Sequence, residues 1–279
     1  MGSHRRRALV WIVLVGAVLL AGVIAWRLLH PGLHPDRYGV RVAHLSLHSR
    51  LFHEDLDEAV VTPPRLRRGR RPLLVLLYGR GSSPDELLSA QLFAALESEG
   101  SDAPIVLLPN GDDASYWHDR ATGRWATSVV REAIPDAVRA YRADPHRVAI
   151  GGFSMGGFGA LDIARLHPGR FCAIGGHSAA LFEMAGEATE GSFDDAEDFS
   201  RHDLFSLESH YGATPIWMDV GADDPFRKAD SDYARVLRAR GADITFRTWP
   251  GGHNGSYWRS HMDAYIRFYA AALSRCGTG

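Results

Sequence analysis

Ile150-Gly151-Gly152-Phe153-Ser154-Met155-Gly156-Gly157-Phe158-Gly159-Ala160-Leu161 reads as a buried strand, a Gly-x-Ser-x-Gly turn and an Ala- and Leu-containing helix. A serine on so sharp a strand-to-helix turn takes strained backbone angles, and glycines two residues to either side leave room for it. The turn lifts the Ser154 hydroxyl out of the sheet and sets it at a helix N-terminus. Unpaired amides and the helix dipole there favour a developing negative charge.

Outward from this turn the chain alternates strands and helices. Leu73-Leu74-Val75-Leu76-Leu77 is a continuous apolar run, the pattern of a strand covered on both faces. Further strands are expected at 105–108, 148–152, 171–174, 216–220 and 244–249. Helices are expected at 83–99, 127–141, 155–167, 227–240 and 257–274. Ser83 and Glu86 stand at capping-box spacing for the first of these helices. Two extended segments, 38–47 and 58–62, read as an antiparallel pair at the sheet edge. A basic turn over 65–71 follows them and reads as solvated. The fold class is α/β, a mostly parallel central sheet with helices on both faces, and ligands in such sheets bind beyond the carboxyl ends of the strands. One stretch breaks the alternation. Residues 181–212 carry Glu183, Glu187, Glu190, Asp194, Asp195, Glu197 and Asp198 between two strands, and read as an acidic cap over the site.

The 279 residues suit one sizeable domain with a short appendage. A formal net charge of −2 offers no basic surplus for phosphate neutralisation, which argues against nucleic acid as a partner. Lys228 is the one lysine among the 31 basic residues. With only Cys172 and Cys276, neither a cysteine zinc motif nor a disulfide framework is indicated. Cys172, in an apolar run, reads as a buried thiol, with a Cys172–Cys276 disulfide in an oxidising compartment the alternative. No metal or cofactor is expected.

Arg5, Arg6 and Arg7 precede an uncharged run from Ala8 to Trp26, long enough to cross a ~30 Å hydrocarbon layer as a helix. We read residues 1–29 as an uncleaved signal anchor, with the arginines cytoplasmic and the body (38–279) outside. Secretion after cleavage near Val23-Ile24-Ala25 is the alternative. Residues 30–37 read as a linker.

A serine nucleophile needs a base, and the base needs a carboxylate to orient it. In sheets of this kind the partners follow in the order Ser, Asp or Glu, His. Val220-Gly221-Ala222-Asp223-Asp224-Pro225 ends a strand with two aspartates, and Pro250-Gly251-Gly252-His253-Asn254 follows the last strand. Asp224 and His253 are 29 residues apart, room for one helix and one strand. Asp224 is the favoured acid, with Asp223 the alternative. The two amides of an oxyanion hole are expected at Met155, directly after the serine, and at Arg80 in Tyr78-Gly79-Arg80-Gly81. Trp117, Trp125, Phe182 and Trp258 are candidates either for an apolar pocket or for ordinary core. His177, just after a strand end, lies before the acid and breaks the expected order.

From Tyr38 onward the chain resembles the putative-esterase branch of the α/β-hydrolase superfamily. That branch includes esterase D-like S-formylglutathione hydrolases, feruloyl-type esterases and the antigen 85 mycolyltransferases. The resemblance rests on the stretches at 76–81, 108–111 with Tyr116-Trp117, 144–147, 154–161, 221–225 and 251–253. It implies an α/β-hydrolase fold, Ser154, Asp224 and His253 as a catalytic triad, and hydrolysis of a small-molecule or lipid ester without a cofactor. Acyl transfer to a cell-envelope sugar or lipid acceptor is the alternative. Two departures stand out: Tyr78 precedes Gly79 where many relatives have His or Asp, and the acid is an aspartate where the mycolyltransferases use glutamate.

Overall fold

The computed structural model describes residues 35–64, 69–207 and 211–276. The signal anchor read over residues 1–29 lies outside them, as do residues 30–34 of the linker. The linker's end forms a short 3-10 turn, Pro35–Tyr38. Among the described residues no helix is long and apolar enough to cross a membrane.

The strands in chain order are β1 (Arg41–Ser49), β2 (Glu54–Thr62), β3 (Arg71–Leu77), β4 (Ile105–Leu108), β5 (Asp119–Arg120), β6 (Gly123–Arg124), β7 (Ala143–Phe153), β8 (Ile174–His177), β9 (Ile216–Gly221) and β10 (Ile244–Trp249). Eight form one sheet in the order β1-β2-β4-β3-β7-β8-β9-β10, and β5 with β6 makes a small separate hairpin. β1 and β2 run antiparallel, from Arg41 opposite Thr62 to Ser49 opposite Glu54. β2 is antiparallel to β4, and every later pairing in the large sheet is parallel.

The helices are α1 (Ala90–Ser98), α2 (Trp125–Ser128), α3 (Ile134–Tyr141), α4 (Met155–Leu166), α5 (Ala196–His202), α6 (Arg227–Ala239) and α7 (Gly255–Arg275). Side chains on a strand alternate between faces, and the central strands separate accordingly. Leu73, Val75 and Leu77 join Val148, Ile150, Ile134, Leu161 and Leu237 in one core. Leu74 and Leu76 join Ala149, Leu92, Phe93, Ile266 and Leu273 in the other. The sheet is thus buried on both faces, by α3, α4 and α6 on one side and by α1 and α7 on the other.

Five expectations are corrected. The helix expected at 83–99 is a 3-10 turn, Pro84–Leu87, followed by α1. Ser83 makes no cap bond; Ser89 accepts the Leu92 amide at 3.2 Å and starts the helix. The helix expected at 127–141 widens into a π turn, Val129–Ala133, just before Pro135, which has no amide hydrogen to give the ladder. The strand expected at 171–174 lies at Ile174–His177 instead. Gly175 and Gly176 obscured it, yet the sheet needs a glycine there: a Cβ on Gly175 would fall 1.7 Å from the Tyr269 hydroxyl. Arg71 is buried at the start of β3 rather than solvated, and donates to the Ala103 carbonyl at 3.0 Å. Cys172 is no thiol but is disulfide-bonded to Cys276, closing the end of α7 onto the approach to β8.

The segment 181–212 carries a 3-10 turn and α5. Phe199 and Leu204 enter the core, and Phe193 packs on it. Glu187, Glu190, Asp194, Asp195 and Glu197 are exposed, and several of these acids also accept hydrogen bonds. Asp194 accepts from Arg120 at 3.0 Å and from the Ala121 amide at 2.6 Å, which joins the segment to the β5–β6 hairpin.

Candidate active site

Five parallel strands end at one rim of the sheet, at Leu77, Phe153, His177, Gly221 and Trp249. Each sequence-predicted site residue follows one of these ends. Ser154 stands between β7 and α4 at φ 55° and ψ −118°, a left-handed conformation that costs a side-chain-bearing residue energy. It is held by its neighbours: its amide donates to the His177 carbonyl at 3.0 Å, and its carbonyl accepts from Ala180 and Phe158. A Cβ on Gly156 would lie 2.1 Å from the Leu77 carbonyl oxygen, and one on Gly152 2.3 Å from the Gly156 oxygen. The two motif glycines therefore let β3, β7 and α4 converge beneath the serine.

The structure brings Ser154, His253 and Asp224 together. His253 Nε2 is 2.7 Å from Ser154 Oγ, and His253 Nδ1 is 2.9 Å from Asp224 Oδ2. With Asp224 ionised, Nδ1 carries the proton and donates to it, leaving the Nε2 lone pair for the serine hydroxyl. Asp224 Oδ1 accepts the Phe226 amide at 2.8 Å. Burial alone raises the Asp224 carboxyl, but the bonds from His253 and Phe226 outweigh it and hold Asp224 below the ordinary carboxylate value. Asp223 is exposed and makes a different contact, its amide donating to the Gly251 carbonyl at 2.8 Å. That bond ties the acid loop to the histidine loop. The His253 ring lies between Phe226 and Trp258, with centroids 5.1 and 5.3 Å away.

Met155 opens α4 and is fully buried. The loop after β3 presses on the serine: a Cβ on Gly79 would sit 3.3 Å from Ser154 Cβ. The turn is fixed by the Gly81 amide on the Asp113 carbonyl (2.8 Å) and the Ser82 amide on the Gly79 carbonyl (3.2 Å). Arg80 also reaches the segment over 181–212, donating to the Glu190 carbonyl at 2.8 Å. Tyr78 supports the loop from below. Its hydroxyl accepts the Gly111 amide at 2.8 Å, and burial pushes its pKa up to about 12. A cleft of 610 Å³ opens over Ser154 and His253, with Arg80, Glu86, Leu87, Phe153, Trp258 and Arg259 on its walls. Of the four candidate pocket aromatics only Trp258 lines this cleft; Trp117 is fully buried, Trp125 stacks on Phe52, and Phe182 packs against Tyr116 and Phe226.

Two buried polar clusters escaped the sequence reading. Beneath the site, His177 Nδ1 meets Asp219 Oδ1 at 2.7 Å, and Asp219 also accepts from Tyr257, Tyr265 and Trp217. Only Asp219's position on β9, an acid within an apolar strand, hinted at it. Next to it Asp230 is fully buried, and burial together with Asp224 and Asp219 raises its carboxyl well above the ordinary value. Farther along, His118, Asp198 and His202 place donor atoms within 4.8 Å of one another. Burial and His202 hold the His118 imidazole below its ordinary value.

A family model described as "Putative esterase" matches residues 49–269. An acetyl esterase of Caldicellulosiruptor saccharolyticus is 26% identical over 214 residues, covering 68% of this chain and 79% of its own. The S-formylglutathione hydrolase of Mus musculus is 24% identical over 251 residues, covering 77% and 88%. A solved ferulic acid esterase superposes with a TM-score of 0.72 at 20% identity, over 84% of this chain and 98% of that one, a likeness of fold.

Proposed function

The chain belongs to the esterase family within the α/β-hydrolase superfamily and is a carboxylic ester hydrolase; from that premise we propose that Ser154, His253 and Asp224 form its catalytic triad. The observation that carries this reading is the 2.7 Å contact between Ser154 Oγ and His253 Nε2. His253 takes the hydroxyl proton as Ser154 attacks the ester carbonyl, and Asp224 stabilises the imidazolium that forms. The carbonyl oxygen, now an anion, sits at the N-terminus of α4, where the Met155 and Arg80 amides donate to it. His253 then protonates the departing alcohol, leaving Ser154 acylated. Water repeats the sequence and releases the acid.

The cleft suits a small ester. Leu87, Phe153 and Trp258 offer apolar wall, and Arg80, Glu86 and Arg259 offer polar contacts. Names of related chains, acetyl esterase and S-formylglutathione hydrolase, favour water over a sugar or lipid as acyl acceptor. The arginines before the apolar run 8–26, together with the Cys172–Cys276 disulfide, support a body anchored at the membrane and facing an oxidising space. The test of catalysis is hydrolysis of p-nitrophenyl esters of increasing acyl length, beside Ser154→Ala. Serine-dependent turnover peaking at short acyl chains supports the reading; equal turnover by Ser154→Ala overturns it.

A further inference from the structure

We propose that His118, Asp198 and His202 form a binding site for a transition-metal dication of the Zn²⁺ class, pinning the segment over 181–212 to the body of the fold. The three residues come from two separate parts of the chain. His118 follows the loop after β4, and Asp198 and His202 stand four apart on one face of α5. All three are buried. His118 Nε2 lies 3.0 Å from Asp198 Oδ2, and His202 Nε2 lies 3.8 Å from Asp198 Oδ1, so both imidazole nitrogens converge on one carboxylate.

The surroundings match what a metal-binding histidine needs. A ligating imidazole usually donates its other nitrogen to a carboxylate that fixes its orientation. His202 Nδ1 does so to Asp162 Oδ2 at 2.7 Å, which directs Nε2 toward Asp198. Asp162, on α4, is itself fully buried and held by Arg165. His118 Nδ1 is buried without a hydrogen-bond partner, so it is open to carry the ring proton, which leaves the Nε2 lone pair for an ion. Phe193 stacks on His118 at 5.2 Å and Phe158 meets its edge, making a dry shell that strengthens charge interactions. Two imidazoles and one carboxylate select a Zn²⁺-like ion over Ca²⁺ or Mg²⁺, which prefer all-oxygen sites. Cysteine spacing gives no sign of the site because its ligands are histidines and an aspartate brought together only by folding.

The test uses the full chain, stripped with a chelator and titrated with Zn²⁺ by calorimetry, with bound metal counted by mass spectrometry. One equivalent is expected in wild type and none in His118→Gln or His202→Gln, whereas His48→Gln on the surface should keep it. Asp162→Asn should weaken binding by about 10–100-fold. Added Zn²⁺ should raise the melting temperature of wild type and leave that of His202→Gln unmoved. Should a ligand variant fail to fold, Co²⁺ bound to wild type decides alone: visible bands of a low-coordinate ion with imidazole ligands are expected. Absence of those bands, no bound equivalent in wild type, or an equivalent that survives both histidine variants overturns the site.

Discussion

Ser154 is held in a conformation it would not choose, and three contacts on its own backbone keep it there. Its hydroxyl then meets His253 with no further rearrangement of the chain. Replacing Ser154 with Ala should lower kcat for a p-nitrophenyl ester by about 10⁴–10⁶-fold, because nucleophile and base act as a unit. The neighbouring aspartates make a sharper comparison. Asp224→Asn leaves the loop in place but sets the wrong imidazole tautomer, at an expected loss of about 10⁴-fold. Asp223→Asn keeps the backbone bond to Gly251 and touches none of Ser154, His253 and Asp224, so its kcat should stay within about twofold of wild type. Steady-state kinetics on the two variants separate them, and a larger loss at Asp223 would reverse the assignment. Asp224 is held below the ordinary carboxylate value, so activity should fall through its protonation only on the acid side of that range. The Ser, Asp, His order and the loop after each strand were legible because glycines and polar residues interrupt apolar strands. Choosing between Asp223 and Asp224 was harder, since one residue decides whether a side chain faces the histidine or solvent.

Among the elements, β2 carries a device that its sequence hides. Glu58 is fully buried in this strand; its Oε2 accepts the Asn110 amide at 3.0 Å, while Oε1 has no partner. Burial lifts its pKa from 4.5 to about 8. A carboxyl that binds its proton more tightly when folded stabilises the fold at low pH, and that contribution is lost as pH rises through its folded value. Glu58→Gln mimics the protonated form. Its stability relative to wild type should therefore improve as pH climbs from 4.5 to about 8, read as the difference in urea midpoints. Asp230 titrates in the same direction in both proteins and cancels from that difference. A variant that loses ground at the alkaline end would contradict the buried, protonated Glu58. Legibility varied by element for physical reasons. β3 announced itself because a strand buried on both faces is apolar without interruption. β8 did not, because Tyr269 presses so closely on Gly175 that the strand forgoes side chains. The helix at 83–99 looked continuous because apolar spacing persists across the break, and only the Ser89 cap reveals where α1 begins.

At the scale of the whole molecule, the disulfide and the N-terminal run make one argument about where the fold operates. Cys172 and Cys276 are 104 residues apart, so their bond closes a long loop that includes residues 181–207, β9, β10, Asp224 and His253. Cross-linking so long a loop restricts the unfolded chain far more than the folded one, and its removal should cost about 2–5 kcal/mol. Cys276→Ser should accordingly lower the melting temperature while leaving Ser154 and His253 in contact, since neither cysteine touches the cleft. Disulfides persist in oxidising compartments, and under the placement proposed above the arginines ahead of the apolar run 8–26 would orient the body toward such a side of a membrane. Both statements meet in one experiment. Full-length chain made in cells that export it should sediment with membranes, and its body should be digested by protease added from outside. Its cysteines should resist alkylation until a reductant is added. Chain lacking residues 1–29 should remain in the cytoplasm with both thiols open to alkylation and a melting temperature lowered to that of Cys276→Ser. If the full-length body stays protected from external protease and its thiols react at once, the placement outside the membrane is wrong and the bond has no stabilising role in the cell.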